Sequence, residues 1–273
     1  MKKPKFDRVL GDGDCYLFRA GKAAEHMKYS IVDVDDYDKV LASSRDKRQL
    51  VAMLEEELDP DICAIVGDLE PEPFQNARAN LRGIIRTVNE ACGTDNTTIF
   101  VSDPSGESYR KALEPSYKAQ RDPTDKPFWY PELRHYLLKR YDVREAYRGM
   151  EADDLLGIEQ CNADDRTVIA SVDKDLRQIP GWHYNIMHQE LFHVSPEDAD
   201  MFLWHQMLIG DVADNIKGIH GIGEVKAAKL LKDTTPETAQ EIVYELYRKH
   251  RGPDWEEIFR INVQLLTILR STT

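Results

Sequence analysis

Three short apolar runs in this chain each end by delivering an aspartate, and that repetition narrows the folds open to it. Arg8-Val-Leu10 leads into Gly11-Asp12-Gly13-Asp14, Thr97 to Val101 into Ser102-Asp103, and Thr167 to Ala170 into Ser171-Val-Asp173-Lys-Asp175. The second run, Thr97-Thr-Ile-Phe-Val101, is β-branched and aromatic, as a buried strand favours. Helical patterns lie between them, at 131–141 and 151–162. Such alternation predicts an α/β fold, a mainly parallel central sheet flanked by helices, and sheets of this kind bind ligands beyond the carboxyl ends of their strands. Asp12, Asp103 and Asp173 should therefore share one rim.

The rest of the chain is filled in around these strands. Tyr16 to His26 reads as a helix, and residues 30 to 96 carry two amphipathic helical patterns, roughly Asp36 to Leu58 and Pro73 to Cys92, joined by a Pro-, Asp- and Glu-rich connection. Trp182 to Val194 has a hairpin pattern, and Ser195-Pro-Glu-Asp198 is a helix start with a capping serine and early acids. From there to Thr273 the chain reads as helical, which sets an expected division into residues 1–195 and 196–273.

With 273 residues, 41% hydrophobic and 31% charged, and no repeat or low-complexity tract, the chain should fold fully and remain soluble. The amino terminus has basic residues but no apolar stretch behind them, and no run approaches membrane-spanning length, so a cytoplasmic location without a membrane is expected. Cys15, Cys63, Cys92 and Cys161 lie far apart with no C-x-x-C pair, which fits reduced thiols. A net charge of −13 counts against a nucleic-acid partner, but its distribution matters more. Tyr109 to Arg148 holds ten Lys or Arg against six Asp or Glu, with eight aromatics interleaved. Single-stranded nucleic acid calls for such a mixture of cations and flat rings, although Arg134, Lys139, Arg140, Arg144 and Arg148 also suit a solvated helical face.

Acids recur in pairs: Glu151-Ala-Asp153-Asp154, Asp173-Lys-Asp175, and Asp211 with Asp214. Clustered carboxylates repel one another unless a cation shares them, which points to hard divalent ions, magnesium first, and to metal-dependent phosphoryl transfer. Taken alone, the first set also suits a helix start, where the dipole favours negative charge, and the last suits a polar loop. Ile216 to Leu231 then spaces glycines as G-x-x-G-x-G before a helix rich in Ala and Lys, a form that lets backbone N–H groups approach a phosphate. The eight histidines show no shared ligand spacing.

Taken in order, six blocks resemble the flap endonuclease/5′-3′ exonuclease superfamily, and above all its stand-alone bacteriophage exonucleases. They are Val9 to Asp14, Val101-Ser-Asp103, Tyr109-Arg110-Lys111 with Pro115 to Arg121, Met150 to Asp154, Ser171 to Asp175, and Gly210 to Leu231. The resemblance implies a resolvase-like core with a helical arch at about 105–148 and a helix-hairpin-helix element at about 210–232. It implies metal ligands at Asp12, Asp103, Glu151, Asp153, Asp154, Asp173, Asp175, Asp211 and Asp214, serving two magnesium ions for which manganese can substitute. Setting those nine acids aside moves the formal charge from −13 to −4.

Lys118 and Arg121 would meet the scissile phosphate, with Tyr117 beside the terminal base. Arg110, Lys111, Lys217, Gly221, Gly223, Lys226 and Lys229 would contact DNA, with a potassium ion at the hairpin. The implied protein is a monomer that hydrolyses DNA at a free 5′ end, flap or nick, with an RNA–DNA hybrid as a further candidate substrate. Two departures stand out: the long insert at 30–96, and Gly11 where an apolar residue commonly precedes the first aspartate. Two rival readings remain open. Asp12-Gly-Asp14 and Gly210-Asp-Val-Ala-Asp214 also copy the D-x-D and G-D-x-x-D motifs of haloacid-dehalogenase-like phosphatases, and a branched-DNA-binding module without activity would share the basic features.

Overall fold

The computed structural model describes residues 5–122, 125–147 and 149–272, and the chain divides into two compact units. The first comprises residues 1–16, 84–125 and 137–273. Its sheet has six strands in the order β6-β5-β1-β7-β8-β9: β1 (Arg8–Asp12), β5 (Thr97–Val101), β6 (Asp142–Glu145), β7 (Thr167–Ser171), β8 (Gly181–Asn185) and β9 (Glu190–Val194). All neighbours are parallel except β9, which runs antiparallel to β8. The expected parallel sheet, its three acid-ended strands and the 182–194 hairpin are all present. β6 was not anticipated, because Asp-Val-Arg-Glu is a polar edge strand without a strand-like pattern.

β1 lies at the centre, with Gly11 opposite Ile99 on one side and Ala170 on the other. This register brings the carboxyl ends of β1, β5 and β7 level. Leu10, Ile99 and Ile169 are buried almost completely, each such side chain contributing about 1.5–3 kcal/mol. Helix α6 (Ala152–Cys161) packs across β1, β5 and β7, its Leu156 seated against Leu10 and Phe100 in one apolar cluster. Gly11 has a local cause: a Cβ there would stand 3.0 Å from the Tyr16 ring, whose hydroxyl donates to the Ala170 carbonyl at 3.2 Å. A larger residue here would press on that tyrosine ring.

The carboxyl-terminal part of the unit is helical: α7 (Pro196–Ile209), α8 (Glu224–Leu230), α9 (Pro236–His250) and α10 (Trp255–Leu266). Ser195 caps α7 by accepting from Asp198 N at 3.0 Å, as its sequence signature predicts. One correction to the all-helical expectation is a two-residue antiparallel ladder, β10 (Gly210–Asp211) with β11 (Ile216–Lys217). Gly210 ends α7 at φ +75°, and a Cβ there would lie 2.3 Å from Gly218 N, so only glycine permits the chain to return so closely. Met207, Leu208, Val243 and Tyr247 fill the core between these helices.

The second unit comprises residues 17–83 and 126–136. It holds a three-stranded antiparallel sheet in the order β3-β2-β4: β2 (Glu25–Asp33), β3 (Val40–Ser44) and β4 (Cys63–Pro71). Helix α2 (Lys47–Glu57) covers it through Leu50, which meets Ile31 and Cys63. This overturns the expected helix from Asp36 to Leu58, which is a strand followed by a helix capped at Asp46. It also ends the first helix earlier: α1 is Gly13–Lys22, and Glu25 and His26 already belong to β2. Helix α3 (Phe74–Cys92) matches its expected span and runs from this unit into the first.

Candidate active site

The central strand places Asp12 at the rim, where burial and two hydrogen bonds fix its carboxylate. Oδ1 accepts from Cys15 N at 3.0 Å, and Oδ2 accepts from the Ser171 hydroxyl at 2.5 Å. The same Ser171 oxygen accepts from Asp173 N at 2.9 Å, so one hydroxyl ties the ends of β1 and β7 together. Burial first, then the charges of Asp14 and Asp173, push the Asp12 carboxyl up to about 7. Asp153, in the first turn of α6, is pushed well above the usual range by burial and by Asp173 and Asp12. Asp175 rises to about 7 through burial and the charges of Asp173 and Asp211. Mutual repulsion therefore links Asp12, Asp153, Asp173, Asp175 and Asp211 into one electrostatic group.

Neighbouring backbone N–H groups and one side chain hold this group in place. Asp173 Oδ1 accepts from Asp175 N at 2.8 Å, Asp175 Oδ1 accepts from Gln206 Nε2 at 2.8 Å, and Asp211 Oδ1 accepts from Asp214 N at 3.1 Å. Asp103 stands just past β5 with Oδ1 accepting from Ser105 N at 2.8 Å. Among the described residues, no three His, Cys, Asp or Glu are gathered into a ready cage for one ion. The donors are all oxygen, several carry raised carboxyls, and such acids accept a divalent ion in place of their protons.

Two sequence expectations are corrected beneath this rim. Asp154 is 0% exposed, and both its oxygens are occupied: Arg110 donates to them at 2.7 and 2.8 Å, Glu151 N at 3.0 Å and Leu269 N at 3.1 Å. It is an internal anchor with no lone pair turned to a metal. Arg110 is equally enclosed, at 2% exposure, and also donates to the carbonyls of Leu265 and Thr267. Burial works against its charge, but the Asp154 bonds overcome that and hold the guanidinium ionised. It cannot reach DNA.

Cations meet the acids on the other side. Lys118 sits at φ +56°, its Nζ 2.9 Å from both Glu151 oxygens and 3.7 Å from Asp214. Arg121 pairs with Asp214. Lys118 N donates to the Asp214 carbonyl at 3.1 Å and Asn215 Nδ2 to the Ser116 carbonyl at 2.9 Å, so the 116–121 turn is stitched to the β10–β11 turn. Tyr117, expected as a base platform, is instead 3% exposed in the core with Met207 and Leu208. Its hydroxyl lies 3.2 Å from Glu151 and 3.1 Å from Asp214.

The remaining cations are dispersed. Lys111 Nζ donates to the Gly106 carbonyl at 2.9 Å and Arg144 pairs with Glu159 at 2.6 Å, while Arg148 lies outside the described residues. Lys217, Lys226 and Lys229 are exposed around α8, Lys226 Nζ donating to the Gly221 carbonyl at 3.2 Å. Gly221 takes φ +76°, and Gly223 precedes the helix. Sequence reasoning did not foresee Ser171 and Gln206 as the groups that position the acids. Ser171 lay inside a block already singled out, but Gln206 carried no signal, being 31 positions from its partner.

Residues 72–201 match the family of 5′-3′ exonuclease N-terminal, resolvase-like domains. Over that segment the chain is similar to 5′-3′ exonucleases and flap endonucleases. It is 34% identical over 147 residues to flap endonuclease Xni of Shewanella sp. (strain ANA-3), covering 49% of this chain and 56% of that protein. It is 28% identical over 177 residues to the thermostable DNA polymerase I of Thermus aquaticus, covering 59% of this chain and 21% of that one. The chain thus spans about half the length of one relative and about a fifth of the other. A bacteriophage T5 protein co-crystallized with metal ions has a similar fold, with a TM-score of 0.59 at 16% identity over 95% of this chain and 88% of the other. Among the described residues, no helix is long and apolar enough to cross a membrane.

Proposed function

We propose that this chain is a divalent-metal-dependent nuclease that hydrolyses phosphodiester bonds of DNA from a 5′ end, flap or nick. The observation that supports it most is the electrostatic group at the strand ends, whose carboxyls rise together through burial and mutual repulsion. Asp12, Asp153, Asp173, Asp175 and Asp211 would hold the ions, two magnesium ions with manganese as substitute, and Asp103, Glu151 and Asp214 would complete the set. When bound, the ions would supply an activated water and offset charge on the leaving oxygen.

Ser171 keeps Asp12 and Asp173 in register, and Gln206 orients Asp175. Lys118 and Arg121 rest on Glu151 and Asp214, which keeps two cations beside the rim, ready to exchange a carboxylate for the scissile phosphate. Residues 196–273 would form the DNA-holding region, with 210–232 as a helix-hairpin-helix element whose Lys217, Lys226 and Lys229 grip duplex phosphates. A potassium ion at that element and action on RNA–DNA hybrids belong to the same proposal.

The phosphatase reading is weaker, because it leaves Asp153 and Asp175 of the electrostatic group and the glycine-spaced 216–231 segment without a role. The deciding experiment incubates 5′-labelled flap, nicked and RNA-primed duplexes with magnesium or with EDTA and sizes the products. Asp173→Asn is expected to bind these substrates and cut none of them. Undiminished turnover by that variant would overturn the assignment, and turnover of small phosphomonoesters without DNA cleavage would favour the rival.

A further inference from the structure

Beside the rim, a cavity of about 250 Å³ opens between the Asp173 turn and the β8–β9 hairpin. It lies within the first unit, and no motif in the sequence announces it. Ile169 and Leu176 form part of its apolar lining, while Lys174, Arg177 and His188 bring cationic or imidazole groups to its wall. His183 and Phe192 are cross-strand partners whose rings stack at 5.4 Å and 15°. His183 Nε2 donates to the Ile179 carbonyl at 2.8 Å, which locks the ring plane. The Arg177 guanidinium lies over Phe192, 5.4 Å from the ring centre. Asn185 Oδ1 accepts from Met187 N and His188 N, at 3.0 and 2.9 Å, which shapes the hairpin turn and leaves the amide NH2 as a donor.

We infer that this cavity is a nucleotide subsite, which receives one nucleotide of the strand crossing the rim. The inference rests on the nuclease reading for its place in the reaction, but its chemistry stands apart. A metal ion is disfavoured by the lysine and arginine, and a large apolar ligand by the small volume and charged wall. A flat base suits a wall that carries a guanidinium and two stacked rings, because guanidinium and aromatic faces stack on any base. The attached phosphate would face Lys174 and His188. Asp173 borders both the cavity and the acid group, so the nucleotide held here is adjacent to the bond being cut.

The test measures binding of deoxyadenosine monophosphate and of 2-deoxyribose 5-phosphate by calorimetry, without metal or cleavage. The wild-type protein should prefer the nucleotide by roughly 5- to 150-fold, the range expected of one stacked base. Arg177→Ala and Phe192→Leu should lose that preference. Arg177→Lys keeps the charge without the plane, and it too should lose the preference while still binding the sugar phosphate. Equal binding of the two probes by the wild type, or nucleotide binding by Arg177→Ala equal to wild type, overturns the subsite. If the nucleotide binds as expected and labelled DNA is not cut, the nuclease reading fails and the subsite stands. If DNA is cut and an abasic site beside the scissile bond slows cleavage equally in wild type and Arg177→Ala, the subsite fails and the nuclease reading stands.

Discussion

Asp153 and Asp154 are adjacent in the chain yet belong to two regions governed by opposite physics. Beneath the rim, Asp154 has a complete set of donors led by Arg110, so its charge is neutralised inside the protein. At the rim, Asp153 has carboxylates for neighbours and is pushed up by burial and by Asp173 and Asp12. The anchor needs nothing further. The rim carries repulsion that only protons or an added cation relieve. A sequence motif of clustered acids therefore contains two kinds of position, and what separates them is whether the fold delivers an arginine.

The sharpest way to break this contrast is to remove the arginine. Arg110→Ala strands a buried carboxylate and should cost about 3–5 kcal/mol in urea unfolding, while Asp153→Asn in EDTA should leave stability unchanged or raise it. The reverse order would show that the two regions had been misassigned. A somewhat smaller effect is expected at the cation facing the rim. Lys118→Ala should slow DNA cleavage by roughly 10²–10³-fold, if Lys118 meets developing charge on the phosphate. Cleavage within a fewfold of wild type would reduce Lys118 to a partner of Glu151.

The pH dependence sharpens the comparison further. Asp12 and Asp175 have folded values near 7 against an ordinary value of 3.8, so between about pH 4 and 7 the folded protein keeps protons that the unfolded chain releases. Stability without metal should therefore fall as pH rises through that window and level off above it. Magnesium should raise the melting temperature more at pH 8 than at pH 5, where protons compete for the same oxygens. A metal-free stability curve that rises across pH 4–7 would refute the raised values. The smallest effect is expected farthest from both regions: Lys226→Ala should weaken DNA binding alike for all sequences and lower the salt slope by about one. An unchanged slope would take Lys226 off the DNA.

What the sequence made legible follows from how local each signal is. Strands that end in Asp12, Asp103 and Asp173 were readable because a buried parallel strand is a continuous apolar run with a polar break at its end. The Ser195 cap was readable for the same reason, its signal lying within four residues. By contrast, β2 and β4 hid in a segment read as helix and connection, because their half-exposed faces mix Lys, Glu and Asp with Ile and Val. The nine candidate ligands looked equivalent in sequence, since nothing near Asp154 reveals that Arg110, 44 positions earlier, will claim it. Tyr117 was misjudged likewise, as its apolar neighbours Met207 and Leu208 come from a helix about ninety residues away.

The central position of β1 has a consequence for how the molecule comes into being. It precedes both of its sheet neighbours in the chain, which begin at Thr97 and Thr167, and the serine that steadies its aspartate is 159 residues downstream. Until β7 has emerged, Asp12 has no counterpart for its hydroxyl bond, and Asp211 and Asp214 arrive later still. A nascent chain therefore lacks the assembled acidic rim until its later segments have been made, so strand order alone delays the gathering of these carboxylates.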